Sequence, residues 1–74
     1  MSCTLCFRPV NVNCGAVGSY KLREILEKKY GYPHILDYQD IPYFQALVDA
    51  DVYGASGIIE AINAYGVIEI YKEC

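Results

Sequence analysis

Apolar and polar residues alternate near the start of the chain, which indicates a β-strand. Over residues 4–14, Val10 and Val12 are each followed by an asparagine. A period of two is typical of a strand with one buried face. Pro9 interrupts this pattern, and because proline has no N–H to donate to a ladder, we expect a bulge or a kink beside it.

The next segment has the spacing of an amphipathic helix. Over residues 20–30, apolar side chains recur every three or four positions, and charged side chains occupy the opposite face. Ser19 or Gly18 is the expected N-cap, and Gly31 is the expected end. The apolar face of this helix consists of Leu22, Ile25, Leu26 and Tyr30.

A second helix is predicted over residues 56–65. Ser56 is its expected cap, and Gly66 is its expected end. The residues that this helix turns inward are Ile58, Ile59 and Ile62.

Two further strands and one ambiguous segment complete the pattern. Residues 67–72 are rich in β-branched and aromatic side chains, and residues 33–38 form a shorter apolar stretch. Residues 43–48 fit either a strand that pairs back across the preceding turn or a short helix capped by Asp40, with Pro42 in its first turn. We favour the strand.

The order strand, helix, strand, strand, helix, strand predicts a single α+β domain over residues 1–74. This is the ferredoxin-like βαββαβ arrangement, in which two helices cover one face of a four-stranded antiparallel sheet. If residues 43–48 are helical instead, the prediction becomes a three-stranded α/β unit.

Composition and charge narrow the function classes. The 74 residues suffice for one domain, and a hydrophobic content of 54% against 20% charged residues can supply a core. A net charge of −3, with only six lysines and arginines, argues against a nucleic-acid partner. Because no apolar run approaches the roughly 18 residues that span a membrane and no signal peptide is recognisable, we predict a small acidic protein, soluble in the cytoplasm.

The loop before the first helix and the second helix together carry a family resemblance. Residues 10–18 (VNVNCGAVG), the helix after them and residues 55–66 (ASGIIEAINAYG) resemble the heavy-metal-associated domain family. Members of that family have a ferredoxin-like fold and carry a soft metal on a Cys-x-x-Cys pair between the first strand and the first helix. Cys14 matches the first cysteine of that pair, and Val17 occupies the position of the second. The resemblance implies a soft-metal carrier.

The same loop has two other interpretations. Gly15 and Gly18 lie between a strand and a helix N-terminus, where free backbone N–H groups can bind a phosphate. Alternatively, the two glycines only let the chain turn into the helix.

The four cysteines divide into a group of three and a single residue. In the ferredoxin-like order the last strand lies antiparallel beside the first, which brings Cys74 near Cys3 and Cys6. Cys14 lies at the other end of the first strand, roughly 25 Å from Cys6 at the usual rise per residue. The group of three can hold zinc together with His34, form a disulfide between Cys74 and one of the other two, or stay buried without a ligand.

No catalytic constellation is recognisable, because His34 is the only histidine and lies far from Cys14 in the predicted sheet. We therefore predict a protein without catalytic activity that acts by contact, as an inhibitor or adaptor bound to another protein or to a second copy of itself. The eight tyrosines favour such contacts. The alternative is a zinc or copper carrier, with Cys3, Cys6, Cys14 and Cys74 as the metal ligands.

The predicted contact surface is the face of the sheet that the helices leave uncovered. Its residues alternate along the strands with those assigned to the core. They are Tyr43, Gln45, Leu47, Glu69 and Tyr71.

Overall fold

The protein folds as an antiparallel sheet with helices packed on one side. The computed structural model describes residues 4–10, 15–31 and 33–73. The strands are β1 (Thr4–Pro9), β2 (Gly15–Ala16), β3 (His34–Leu36) and β4 (Ile68–Glu73). The helices are α1 (Tyr20–Lys29), α2 (Ile41–Asp49) and α3 (Ala55–Tyr65), with one 3-10 turn at Tyr38–Asp40.

The two longest strands form the centre of the sheet. The spatial order is β2-β1-β4-β3, and every neighbouring pair is antiparallel. β1 and β4 pair along their whole length, from Thr4 opposite Glu73 to Pro9 opposite Ile68. Since β1 and β3 are both antiparallel to β4, they run parallel to each other with β4 between them.

The α+β class is confirmed, but the ferredoxin-like βαββαβ arrangement is wrong. Residues 43–48, predicted to be a strand, lie inside α2. Within the described residues the sheet therefore has three strands of three or more residues and the two-residue β2 beside them. The start of α2 explains the difference. The 3-10 turn that leads into it is closed by a capping box, in which the Asp40 carboxylate accepts the Asp37 N–H. Asp40 is the N-cap residue of α2 but makes no side-chain cap hydrogen bond to it, and Pro42 lies in the first turn, where its missing N–H costs nothing.

The core lies between the sheet and the helices, and the predicted inward faces of the first and last helices are confirmed. Ile25 and Ile59 are half-buried against it. Among the described residues, its fully buried members come from α1, α2, α3, β3 and β4: Leu22, Leu26, Phe44, Ala55, Ile58, Ile62, Leu36, Ile68 and Ile70.

The helix ends follow local sequence signals in most places. Ser19 is the N-cap of α1, where its Oγ accepts the Leu22 N–H, and Gly31 and Gly66 follow α1 and α3 with positive φ angles. The predicted cap Ser56 is wrong, because α3 begins at Ala55 and its N-cap is Gly54, two residues before Ser56.

The turn into α1 packs directly against the turn into α3. A Cβ atom on Gly18 would lie 2.7 Å from the Cα atom of Gly54, so neither position has room for a side chain. The Ser19 N–H and Oγ both donate to the carbonyl oxygen of Tyr53, at 3.3 and 3.1 Å. This close approach gives Gly18 a packing role, which supports the interpretation of the glycine loop as a turn.

Candidate functional site

The side of the sheet opposite the helices carries a compact set of polar and apolar side chains. Directly opposite residues of an antiparallel pair project to the same face. Cys6 lies opposite Tyr71, while Arg8 and Ile35 lie opposite Glu69 from the two neighbouring strands. These five residues, Cys6, Arg8, Ile35, Glu69 and Tyr71, form what we call the outer face.

Arg8 is the central contact of the outer face. Its guanidinium lies 4.7 Å from the centre of the Tyr71 ring, and its Nη2 atom lies 3.7 Å from Oε2 of Glu69. The second distance allows charge attraction but is too long for a hydrogen bond. Arg8 Nε is also buried, with no hydrogen-bond partner among the described residues. The cation–π contact with Tyr71 therefore helps to orient a guanidinium that has unused donor capacity.

An exposed apolar side chain lies beside this charged pair. Ile35 is 60% exposed although it belongs to a strand. With Pro33, His34 and Glu69 it lines a shallow depression of about 350 Å³ at the β3 edge of the sheet. Cys6 is buried, so the accessible part of the outer face extends from Arg8 across β4 to Ile35.

The five predicted contact residues do not form one surface. Tyr43 and Leu47 are half-buried against the core from α2, and the exposed Gln45 donates from its amide to the Asp49 carboxylate. Glu69 and Tyr71 lie on the outer face, on the other side of the sheet. The structure therefore separates the three α2 residues from the two β4 residues.

Sequence reasoning missed Arg8 and Ile35. The alternation within β1 does place Arg8 on the same face as Cys6, which is a usable signal. The register that sets Arg8 and Ile35 on either side of Glu69 joins residues about 35 to 60 positions apart in the chain. No local pattern carries that information.

Cys6 is the one cysteine within the described residues, and it is buried and disulfide-bonded. Its partner must be one of the other three cysteines, Cys3, Cys14 or Cys74, which all lie outside the described residues. The predicted pairing with Cys74 therefore stays a prediction. The predicted distance between Cys6 and Cys14 assumed one continuous strand from residue 4 to residue 14. That strand is wrong, because β1 ends at Pro9 and Gly15 pairs back with Phe7. Disulfides are more typical of oxidising compartments than of the cytoplasm, and the cytoplasmic location also stays a prediction.

The candidate metal ligands receive no support from the described part of the chain. Within it, no three His, Cys, Asp or Glu side chains form a group that could hold a metal ion. A disulfide sulfur is not a thiolate, so Cys6 in this oxidised form is not a ligand for zinc or copper. The ligand set with Cys3, Cys14 and Cys74 falls outside the described residues.

Tyr30 joins the end of α1 to the start of α2. Its hydroxyl donates to Oδ1 of Asp40 at 2.9 Å, and its ring lies 4.6 Å from the His34 ring and 5.7 Å from the Tyr43 ring, centre to centre. Burial raises the pKa of Tyr30, and the hydrogen bond to Asp40 and the charge of Asp40 raise it further. The raised pKa keeps the Tyr30 phenol in its neutral form, in which its hydroxyl can donate to Asp40.

Replacing Tyr30 with phenylalanine should lower the free energy of unfolding by about 1 to 2 kcal/mol at neutral pH, because the bond to a charged carboxylate is lost. Because the folded-state pKa is raised, the Tyr30 hydroxyl makes its full contribution to the free energy of unfolding at any pH below the pKa of tyrosine in the unfolded chain, about 10. That contribution is lost as the pH rises above this value. The difference between wild type and variant should therefore shrink above that pH. Denaturant titrations at neutral and alkaline pH measure it. Tyr20→Phe, at an exposed position, is the control, and a difference that grows with pH would contradict the prediction.

Comparison with known proteins gave no match: no family model fits the sequence, and no curated protein or solved structure is significantly similar to it. The resemblance to the heavy-metal-associated domain family therefore stays an expectation from the sequence. In the described part of the chain, no helix is both long enough and apolar enough to cross a membrane.

Proposed function

We propose that this protein acts by contact, as a small inhibitor or adaptor that binds another protein chain through its outer face and catalyses no reaction. The observation that carries the proposal is the grouping of Arg8, Glu69 and Tyr71 beside the exposed Ile35. All of these side chains lie on the sheet surface opposite the core and its helices.

The chemistry of the outer face suits a protein partner. Arginine and tyrosine are enriched at interfaces, where a planar cation and a rigid ring bury much area for little lost entropy. Covering Ile35 would remove exposed apolar surface from water. The Arg8 and Glu69 charges beside it would select partners by charge complementarity.

The alternative, a zinc or copper carrier, needs thiolate ligands. The disulfide at Cys6 removes two of the four candidates in the oxidised protein, Cys6 itself and the cysteine bonded to it. The contact proposal needs no change of oxidation state, and for this reason we prefer it.

Site-specific photo-cross-linking tests the proposal. A photoreactive residue in place of Ile35, in the full chain, should form covalent adducts in an extract of the cells that make the protein. The matched control carries the same residue in place of Glu60, an exposed position on α3, and should form few. Equal adducts from both positions, or no adducts from position 35 either in the extract or in the concentrated purified chain, would refute the proposal.

A further inference from the structure

We propose that the chain covering the outer face is a second copy of this protein, related by a twofold axis so that Arg8 of each copy meets Glu69 of the other. This inference rests on the proposed function, since it uses the same surface, and it adds the identity of the partner. The result would be a symmetric dimer joined face to face through its sheets.

The charges of the outer face are self-complementary. The chain has a net charge of −3, so two copies repel each other over most of their surfaces. Among the side chains of the outer face that the structure describes, one cation and one anion, Arg8 and Glu69, lie in adjacent positions. A twofold rotation brings a surface against itself, and with this pair it can set each cation against the other copy's anion.

The Arg8 guanidinium has hydrogen-bonding capacity left for a partner. Arginine has five N–H donors, and the contact with Glu69 of the same chain, at 3.7 Å, is too long to be a hydrogen bond. Ring stacking on Tyr71 holds the group in place without using those donors. A carboxylate from a second copy can accept two parallel hydrogen bonds from the outer edge of the guanidinium, the strongest geometry for this pair.

The size of the face predicts a weak dimer. Three strands spaced about 4.8 Å apart, with the longest about 20 Å long, present roughly 300 Å² per copy. A stable complex usually buries about 800 Å² on each partner. We therefore expect a transient dimer that forms at high protein concentration.

Charge reversal tests directly whether Arg8 of one copy pairs with Glu69 of the other. In sedimentation equilibrium of the purified oxidised chain, from micromolar to millimolar concentration, wild type should dimerise. Arg8→Glu alone and Glu69→Arg alone should each weaken dimerisation about tenfold or more, because like charges then face each other across the axis. An equimolar mixture of the two variants should recover the wild-type association, since each then supplies the charge that the other lacks.

The controls separate a specific contact from general effects of charge. Each reversal changes the net charge of −3 by two units, so both variants remain acidic and general attraction cannot explain recovery in the mixture. Lys28→Glu and Glu60→Arg make the same changes at exposed helix positions and should dimerise like wild type. Ile35→Glu, at a side chain that is mostly exposed, should weaken the dimer without unfolding the chain. It keeps the test valid if a reversal variant misfolds.

The outcomes distinguish this inference from the proposed function. A wild type that stays monomeric at millimolar concentration, or a mixture of the two variants that fails to recover, would overturn the twofold dimer. If position 35 still cross-linked to a different protein, the proposed function would stand and only the identity of the partner would be wrong. If neither association appeared, both would fail.

Discussion

Replacing Phe44 with alanine is expected to lower the free energy of unfolding by about 3 to 5 kcal/mol. Phe44 is completely buried at the centre of α2, with ring contacts to Tyr30 and Tyr43. The cavity would form in a domain of only 74 residues, whose total stability is about 4 to 11 kcal/mol by the usual value per residue. The variant should therefore lose a large share of its stability.

Thermal and urea unfolding followed by circular dichroism measure this effect. Gln45→Ala is the matched control, because it changes the next residue of the same helix, where the side chain is exposed and forms a hydrogen bond with Asp49. Its effect should stay within about 0.5 kcal/mol. Similar losses from the two variants would mean that α2 does not turn Phe44 into the core.

Replacing Gly18 with alanine is expected to lower the free energy of unfolding by roughly 1 to 3 kcal/mol, as overpacking does. The new Cβ would lie 2.7 Å from Gly54 Cα and 3.1 Å from the Tyr53 carbonyl oxygen. These are backbone atoms, so a side-chain rotation cannot relieve the clash. The turns into α1 and α3 would have to separate, and the two hydrogen bonds from Ser19 to Tyr53 would be strained.

The matched control changes glycine to alanine where there is space. Gly57 lies inside α3, and a Cβ there would have no neighbour within 4 Å. Gly57→Ala should raise the free energy of unfolding by about 0.5 to 1 kcal/mol, because alanine loses less backbone entropy in a helix. Urea unfolding of both variants should therefore give effects of opposite sign, and a stabilising Gly18→Ala would disprove the close contact between the turns.

The first and last helices could be predicted because their signals are local. α1 is capped by Ser19 and followed by Gly31. Both residues lie within a few positions of the apolar residues that define the buried face of this helix. α3 differs from its prediction by one residue at its start. Helical periodicity and capping act between residues three or four apart, so a single sequence contains them.

Residues 43–48 could not be assigned in the same way. Tyr43, Phe44, Ala46, Leu47 and Val48 are all apolar or aromatic, and a run with one polar residue fits a period of two or of 3.6 almost equally. Packing of the finished helix decided the outcome, since Phe44 enters the core while Gln45 stays exposed. Tertiary burial outweighs strand propensity in such segments.

The sequence by itself determined the α+β class, the first and last helices with their inward faces, and the placement of Glu69 and Tyr71 on one face of the last strand. Only the tertiary structure decided the helical state of α2, the contact between Gly18 and Gly54, and the grouping of Arg8 and Ile35 around Glu69. The first set depends on alternation and capping among near neighbours. The second depends on strand register and close packing between distant segments, which arise only when the whole chain folds.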